Sequence, residues 1–361
     1  MSAPAARPGV MMTAAYIPGE RAIAGVATPL KLSSNESPHG PGARALEAYA
    51  RAAGEIFRYP SSAQDELRRA VAEVHRLDPA RLIFGNGSDE VIQMLTRAFV
   101  GPGDEVILSE HCFLMAKVHA LAQGAKVLVA PEPDYNTSVD EILKRLTPRT
   151  RLVTIASPNN PCGRHLPGTE LKRLHSGLPE NVILLVDAAY SEYATADDYD
   201  NGTTLATQAA NVMMTRTFSK LYGLAALRVG WGYAAPEIIQ ALEHLRSPFN
   251  VNGAAQAAAA AAVRDREHAA HVRAYNERER TRLTQGLRAL GITVVPSSAN
   301  FILLLFSEGP RNASAAQAHL LAHGIIPRPV GGSPANSLRI TLGLESDNDA
   351  VLRALRSFAT G

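Results

Sequence analysis

Residues 81–109 read "RLIFGNGSDEVIQMLTRAFVGPGDEVILS". Two short apolar runs, "RLIFG" (81–85) and "EVILS" (105–109), bracket a glycine-rich turn and a stretch of helical pattern. Within that stretch Val91, Met94, Leu95, Ala98 and Phe99 recur at the spacing that places them on one helical face. The runs are apolar almost throughout rather than alternating, the pattern of strands covered on both faces in a mainly parallel sheet. Working outward, the same alternation continues through "KVLVA" (126–130), "RLVTIA" (151–156), "VILLVD" (182–187), "VMMT" (212–215) and "VGWGYA" (229–234). Strand–helix alternation of this kind predicts a doubly wound α/β domain.

Beyond the alanine-rich "GAAQAAAAAAV" (253–263) a long helical pattern leads into "TVVPSSANFILLLF", a helix, "LRITLG" and a last helix. This order predicts a second, smaller α+β domain. The expected division is an N-terminal arm over 1–40, a large domain over 41–252 and a small C-terminal domain over 253–361. At 361 residues and 46% hydrophobic, the chain can bury the core such an arrangement needs.

Charge argues against two classes of partner. Lys plus Arg number 36 against 34 Asp plus Glu, with no long basic run, so neither nucleic acid nor a membrane surface is expected as a partner. Two cysteines, Cys112 and Cys162, are too few for a disulfide framework and suit a reducing compartment. The opening "MSAPAARPGVMMTAAYIPGE" holds no secretory apolar core, and the alanine run is too weakly hydrophobic to span a bilayer, which takes about 20 apolar residues. A soluble, cytoplasmic protein is expected.

In an open parallel sheet, ligands bind beyond the carboxyl ends of the strands. "RLIFGNGSDE" delivers there a Gly85-Asn86-Gly87 turn with Ser88 and Asp89 at a helix start, which suits an anion; an N-cap and a helix-start acid account for the same residues. "SPNNPCG" delivers Asn159 and Asn160 in a proline-framed turn, also ordinary turn chemistry. "VILLVDAAYSEY" places Asp187 after five apolar residues, where a carboxylate needs a cation or donors, and Tyr190 three positions on. "VMMTRTFSK" adds Thr217, Ser219 and Lys220. An anion cradle, an amide, a buried carboxylate, a phenol and a lysine at one sheet edge suit pyridoxal phosphate. Its aldehyde takes a lysine, its pyridine nitrogen an anionic partner, and its phosphate a set of donors. His268 and His271 in "HAAH" share a helical face without an evident third ligand, so no metal is expected.

The motifs "KLSSNESPHGPG", "FRYPSSAQDELRRAVAE", "FGNGSDEVI", "SPNNPCG", "VDAAYSEY", "TRTFSKLYGLAALRVGW" and "LRITLG" occur in this order over nearly the whole chain. Together they resemble the fold-type I pyridoxal-phosphate aminotransferases of class I/II, and within them most closely the histidinol-phosphate aminotransferase group. The resemblance implies an aspartate aminotransferase-like α/β fold with a mainly parallel seven-stranded sheet. It implies Lys220 as the Schiff-base lysine, Asp187 as partner of the pyridinium nitrogen, and Asn160 and Tyr190 as ligands of the ring 3-oxygen. Ser88, Asp89, Thr217, Ser219 and Arg228 match positions around the cofactor phosphate, and Phe113 the aromatic stacked on the ring. Tyr59 resembles a tyrosine that reaches the phosphate in the neighbouring subunit of a homodimer. Arg339 matches an arginine that binds a substrate anion, and Arg328, Tyr16 and Asn35 fall near the substrate.

The implied reaction exchanges an amino group between a small-molecule amino donor and a 2-oxo acid acceptor: histidinol phosphate and 2-oxoglutarate, as a step of histidine biosynthesis. Three departures bear on the substrate. Cys162 replaces a frequent threonine, Ala116 stands where an aromatic is frequent, and "RPVGGSPANSLRI" lacks a tyrosine common in that loop. An aromatic amino-acid aminotransferase and a phosphoamino-acid decarboxylase of the same fold are the alternatives.

Overall fold

The computed structural model describes residues 4–13, 20, 22–330 and 334–360. Its strands are β1 (Leu30–Lys31), β2 (Leu82–Gly85), β3 (Glu105–Ser109), β4 (Lys126–Ala130), β5 (Thr150–Ala156), β6 (Ile183–Asp187), β7 (Val212–Thr217), β8 (Gly230–Ala234), β9 (Thr293–Val295), β10 (Phe301–Leu305), β11 (Ile325–Ile326), β12 (Arg328–Pro329) and β13 (Ser337–Thr341).

All seven apolar runs of the α/β region form one sheet in the order β2-β8-β7-β6-β5-β3-β4. Neighbours are parallel except at β8, which runs antiparallel to both β2 and β7. Side chains alternate across the sheet, as the pleat requires. Leu184 and Val186 of β6 join a core with Phe84, Val153 and Met214, while Ile183 and Leu185 join the opposite core with Ile83, Leu108 and Met213. This two-sided burial is why the runs read as nearly continuous apolar stretches. The helix Ser88–Phe99 buries Val91, Met94 and Leu95 against the second core, with Ala98 and Phe99 half-buried at its end.

The alanine-rich helix Gly253–Arg264 buries Ala255, Ala258, Ala259 and Val263 in the first core. Its small side chains let it lie close against the helices Ala43–Ala52 and Asp65–His75. Packing of the larger core therefore runs past residue 252 into this helix.

A four-stranded antiparallel sheet, in the order β12-β13-β10-β9, carries a separate core with Leu283, Leu287, Ile302, Leu338, Ile340, Val351 and Leu355. The N-terminal segment joins this second body: β1 pairs in parallel with β11, and Leu32 lies in the same core. Among the described residues no helix is long and apolar enough to cross a membrane.

Candidate active site

β2, β6 and β7 end at Gly85, Asp187 and Thr217 on one edge of the large sheet, and the antiparallel β8 begins there at Gly230. Gly230 lies in register with both Gly85 and Thr217. A Cβ on Gly230 would collide with the backbone nitrogen of Ser88, so the helix Ser88–Phe99 starts against bare backbone. Gly87, at φ +81°, occupies a region that glycine reaches without strain, and a Cβ there would stand 2.5 Å from the Arg228 guanidinium. Arg228 is itself held at φ +52°, a left-handed conformation that costs a non-glycine residue about 1–3 kcal/mol.

That strained backbone delivers a guanidinium to the helix start. Arg228 donates from Nη1 to the Ser219 hydroxyl at 3.2 Å, and Thr217 Oγ1 donates to the same oxygen at 3.0 Å. The Ser219 backbone N–H is turned onto Thr217 Oγ1 at 3.1 Å. Two hydroxyls, a guanidinium and the free N–H groups of a helix N-terminus converge, which is the donor set a phosphate dianion requires. Asp89 does not oppose them directly: its carboxylate meets His119 Nε2 at 3.1 Å.

Asp187 closes β6, and only 8% of its surface is exposed. Its carboxylate accepts from the Thr215 hydroxyl at 3.2 Å, a contact set by the pairing of Asp187 with Thr215 across β6 and β7. Burial pushes this carboxyl up to about 6, Asp89 adds to the effect, and Thr215, the Ala189 N–H and Lys220 pull it down. A buried carboxyl so raised gains most from a cation placed beside it, such as a protonated ring nitrogen.

Lys220 is half-buried, and its ammonium donates to the Ser34 carbonyl at 3.2 Å. Nζ stands 5.8 Å from the centre of the Tyr190 ring. Its pKa is lowered to about 8, chiefly by burial and then by Arg339 and Arg228, against Glu36 and Asp187. A fair fraction of the side chain is then a neutral, nucleophilic amine near physiological pH.

Tyr190 is buried edge-on against Phe301 at 5.1 Å, and its hydroxyl accepts from Asn35 Nδ2 at 2.8 Å. Asn35, at φ +55°, also takes a hydrogen bond on Oδ1 from Thr341 at 3.1 Å. Asn160, after β5, sits in a turn with cis peptides before Pro158 and Pro161. Its Oδ1 accepts from Arg339 Nη1 at 2.6 Å, while Arg339 Nη2 donates to the Ser33 carbonyl at 2.7 Å. The Arg339 guanidinium lies over the Phe301 ring at 5.3 Å.

Most of the residues singled out in the sequence thus gather at one sheet edge. Phe113 precedes the helix Leu114–Ala122 beyond β3 and is half-buried. Arg328 lies directly across the β12–β13 ladder from Arg339. Tyr59 stands apart, 83% exposed and stacked on Phe249 at 4.6 Å. Tyr16 lies outside the described residues. Ala116 and Cys162 are both buried. The "HAAH" histidines pack on the chain near residue 40: His268 meets the Gly40 carbonyl at 3.3 Å, and His271 the His39 ring at 5.1 Å.

Thr215, Glu132 and the Ser33 and Ser34 carbonyls join the site beyond the residues expected from the sequence. Thr215 carried a usable signal, a lone hydroxyl in "VMMT" one strand from Asp187. The carbonyls carried none.

The sequence matches the family described as aminotransferase class I and II over residues 27–355. It is 47% identical to a histidinol-phosphate aminotransferase of Rhodospirillum centenum over 100% of both chains. It is 49% identical to one of Dinoroseobacter shibae over 98% of this chain and 97% of the relative. The fold superposes with a TM-score of 0.90 on the crystal structure of histidinol-phosphate aminotransferase from Sinorhizobium meliloti in complex with pyridoxal-5'-phosphate, 27% identical and covering 99% of this chain and 98% of that one. An aspartate aminotransferase of Thermus thermophilus shares the fold at a TM-score of 0.81 and 23% identity, over 91% of this chain and 96% of that one. The chain belongs to the class I and II aminotransferases.

Proposed function

We propose that this chain is a histidinol-phosphate aminotransferase that uses pyridoxal phosphate, with histidinol phosphate as amino donor and 2-oxoglutarate as acceptor. Likeness over the full length to relatives of that name carries the reading. The donor set at the sheet edge fits the cofactor at each of its three polar ends. Pyridoxal phosphate, when bound, supplies an electrophilic carbon and an electron sink.

The chain's own residues do the rest. The Lys220 amine is the nucleophile and the carrier of the proton at the reacting carbon. Asp187 holds a proton on the ring nitrogen, and Thr215 keeps its carboxylate aimed. Ser88, Thr217, Ser219 and Arg228 take the cofactor phosphate. Asn160 and Tyr190 take the ring oxygen, and Phe113 covers the ring. Arg339 presents a planar fork to a substrate carboxylate or phosphate, and Arg328 stands across the ladder from it.

A homodimer belongs to the same proposal. Ile56, Phe57 and Tyr59 are 80%, 73% and 83% exposed, and large adjacent apolar side chains of this kind mark a protein interface. Tyr59 would then reach the partner's phosphate site. The cytoplasm is the proposed location.

Purified holoenzyme is assayed with histidinol phosphate, phenylalanine and tyrosine as donors to 2-oxoglutarate. Faster transfer from histidinol phosphate is expected; faster transfer from phenylalanine would make this an aromatic aminotransferase. Lys220→Ala is expected to lose both turnover and covalently retained cofactor, and a variant keeping both overturns the catalytic assignment.

A further inference from the structure

Glu132 follows β4 and is 5% exposed, in a part of the molecule no catalytic role has yet touched. Its carboxylate accepts from Asn159 Nδ2, at 3.0 Å on Oε1 and 3.3 Å on Oε2, and from the Thr137 hydroxyl at 3.0 Å. Asn159 Oδ1 in turn accepts from the backbone N–H of Asn160 at 2.8 Å. Asn160 Oδ1 receives Arg339 at 2.6 Å. The chain Glu132–Asn159–Asn160–Arg339 thus runs from the buried flank of the sheet to the middle of the site.

We infer that Glu132 is a positioning residue: it fixes which way the Asn159 amide faces and thereby sets the Asn160 backbone for cofactor and substrate.

An ionised carboxylate only accepts, so Asn159 must turn its NH2 toward Glu132 and its carbonyl oxygen toward the Asn160 N–H. The reversed amide would set an NH2 against that N–H, two donors facing each other. Burial raises the Glu132 pKa, with a smaller push from Glu110, to about 7 against the pull of Ser109, Thr137 and the His111 backbone N–H, donors that favour the acceptor form. The Cys162 sulfur and a ring nitrogen of His111 also approach, lying with a Glu132 oxygen within 4.8 Å of one another, and Cys112 stands near enough to feel the charge. The acceptor-only form is the one present above neutrality, so the assays belong at pH 8.

The inference rests on the reading of Asn160 as a cofactor and substrate contact, and Asn160→Ala tests that reading separately. Glu132→Gln keeps the size of the side chain but offers an NH2, which permits the reversed Asn159 amide. Cofactor dissociation is measured by equilibrium dialysis, KM for histidinol phosphate by initial rates, and the melting temperature on cofactor-free protein. Both the dissociation constant and KM are expected to rise about tenfold or more in E132Q, since small displacements at a reacting centre cost that much. The cofactor-free melting temperature stays near that of the parent. Asn159→Ala alone produces the same loss, and E132Q adds little to it in the double variant. Unchanged cofactor affinity in E132Q, additive effects with Asn159→Ala, or a fall in melting temperature alone would overturn the inference. Where E132Q does not fold, unchanged affinity in Asn159→Ala overturns it. If Asn160→Ala itself binds cofactor normally, the site reading fails first; if it binds weakly while E132Q is normal, only this inference fails.

Discussion

Arg339 and Asn160, 179 positions apart in the chain, share a 2.6 Å hydrogen bond that ties β13 of the small sheet to the turn after β5 of the large one. The residue proposed to grip the substrate anion is therefore mechanically continuous with a residue proposed to hold the cofactor. A shift of one sheet against the other would strain this bond, which links the two proposed contacts.

The proposed roles of Arg328 and Arg339 predict different effects on two substrates. Each charge-assisted contact is worth about 1.5–3 kcal/mol, or roughly tenfold to a hundredfold in affinity. Arg328→Ala is expected to raise KM for histidinol phosphate by that factor while glutamate changes less than about twofold. Arg339→Ala weakens both. Steady-state kinetics on the two half-reactions decide; equal loss for both substrates in Arg328→Ala removes the two-arginine clamp.

Lys220 gives a pH signature. Its pKa is lowered from 10.5 to about 8, chiefly by burial. Capture of cofactor by the cofactor-free protein should accelerate with rising pH and level off above about 8, followed by absorbance after mixing. Stability follows the same group. The folded chain disfavours the charged lysine, so the penalty is full below about 8 and fades between 8 and 10.5, where the unfolded chain still holds its proton. Cofactor-free Lys220→Met should be about 1–3 kcal/mol more stable than the parent at neutral pH, the gap closing as pH rises through that window in urea melts. A gap constant with pH contradicts the assignment.

The exposed Ile56, Phe57 and Tyr59 predict a dimer in analytical ultracentrifugation. Ile56→Glu with Phe57→Glu should yield a folded monomer with weakened cofactor binding. A fully active monomer would show that each subunit completes its own site.

Arg216 and Glu192 form a buried pair at 2.7 Å, with the guanidinium over Trp231 at 5.4 Å. Arg216→Met leaves the Glu192 carboxylate uncompensated and should cost about 3–5 kcal/mol in urea unfolding. The double variant with Glu192→Gln should recover part of that loss.

The large sheet was legible because its strands, the edge strand β4 excepted, are buried on both faces and announce themselves as apolar runs. Which way β8 runs was not legible, since pleated burial looks the same in either direction. Lys220, Asp187 and Asn160 stand out as polar residues that follow those runs, whereas Arg228 is a candidate through the family motifs. Thr215 shows as a lone hydroxyl in its run, but its pairing with Asp187 comes through the register of β6 against β7, and Glu132 meets Asn159 only through the fold of a turn 27 positions away. Pairing of that kind leaves no trace in local pattern.

Three consecutive residues near the start of the chain each touch a different part of the site. The Ser33 carbonyl receives Arg339, the Ser34 carbonyl receives Lys220, and Asn35 holds the Tyr190 hydroxyl and Thr341. Two of these contacts span 306 positions. During synthesis the ribosome releases Ser33–Asn35 early; Tyr190 and Lys220 follow at mid-chain, but Arg339 and Thr341 emerge only when nearly the whole message has been read. Local helices and the large sheet can form meanwhile, but closure over so long a loop comes last. An enzyme arrested before β13 emerges would carry Lys220 on a nearly complete scaffold and still lack Arg339, the proposed grip on the substrate.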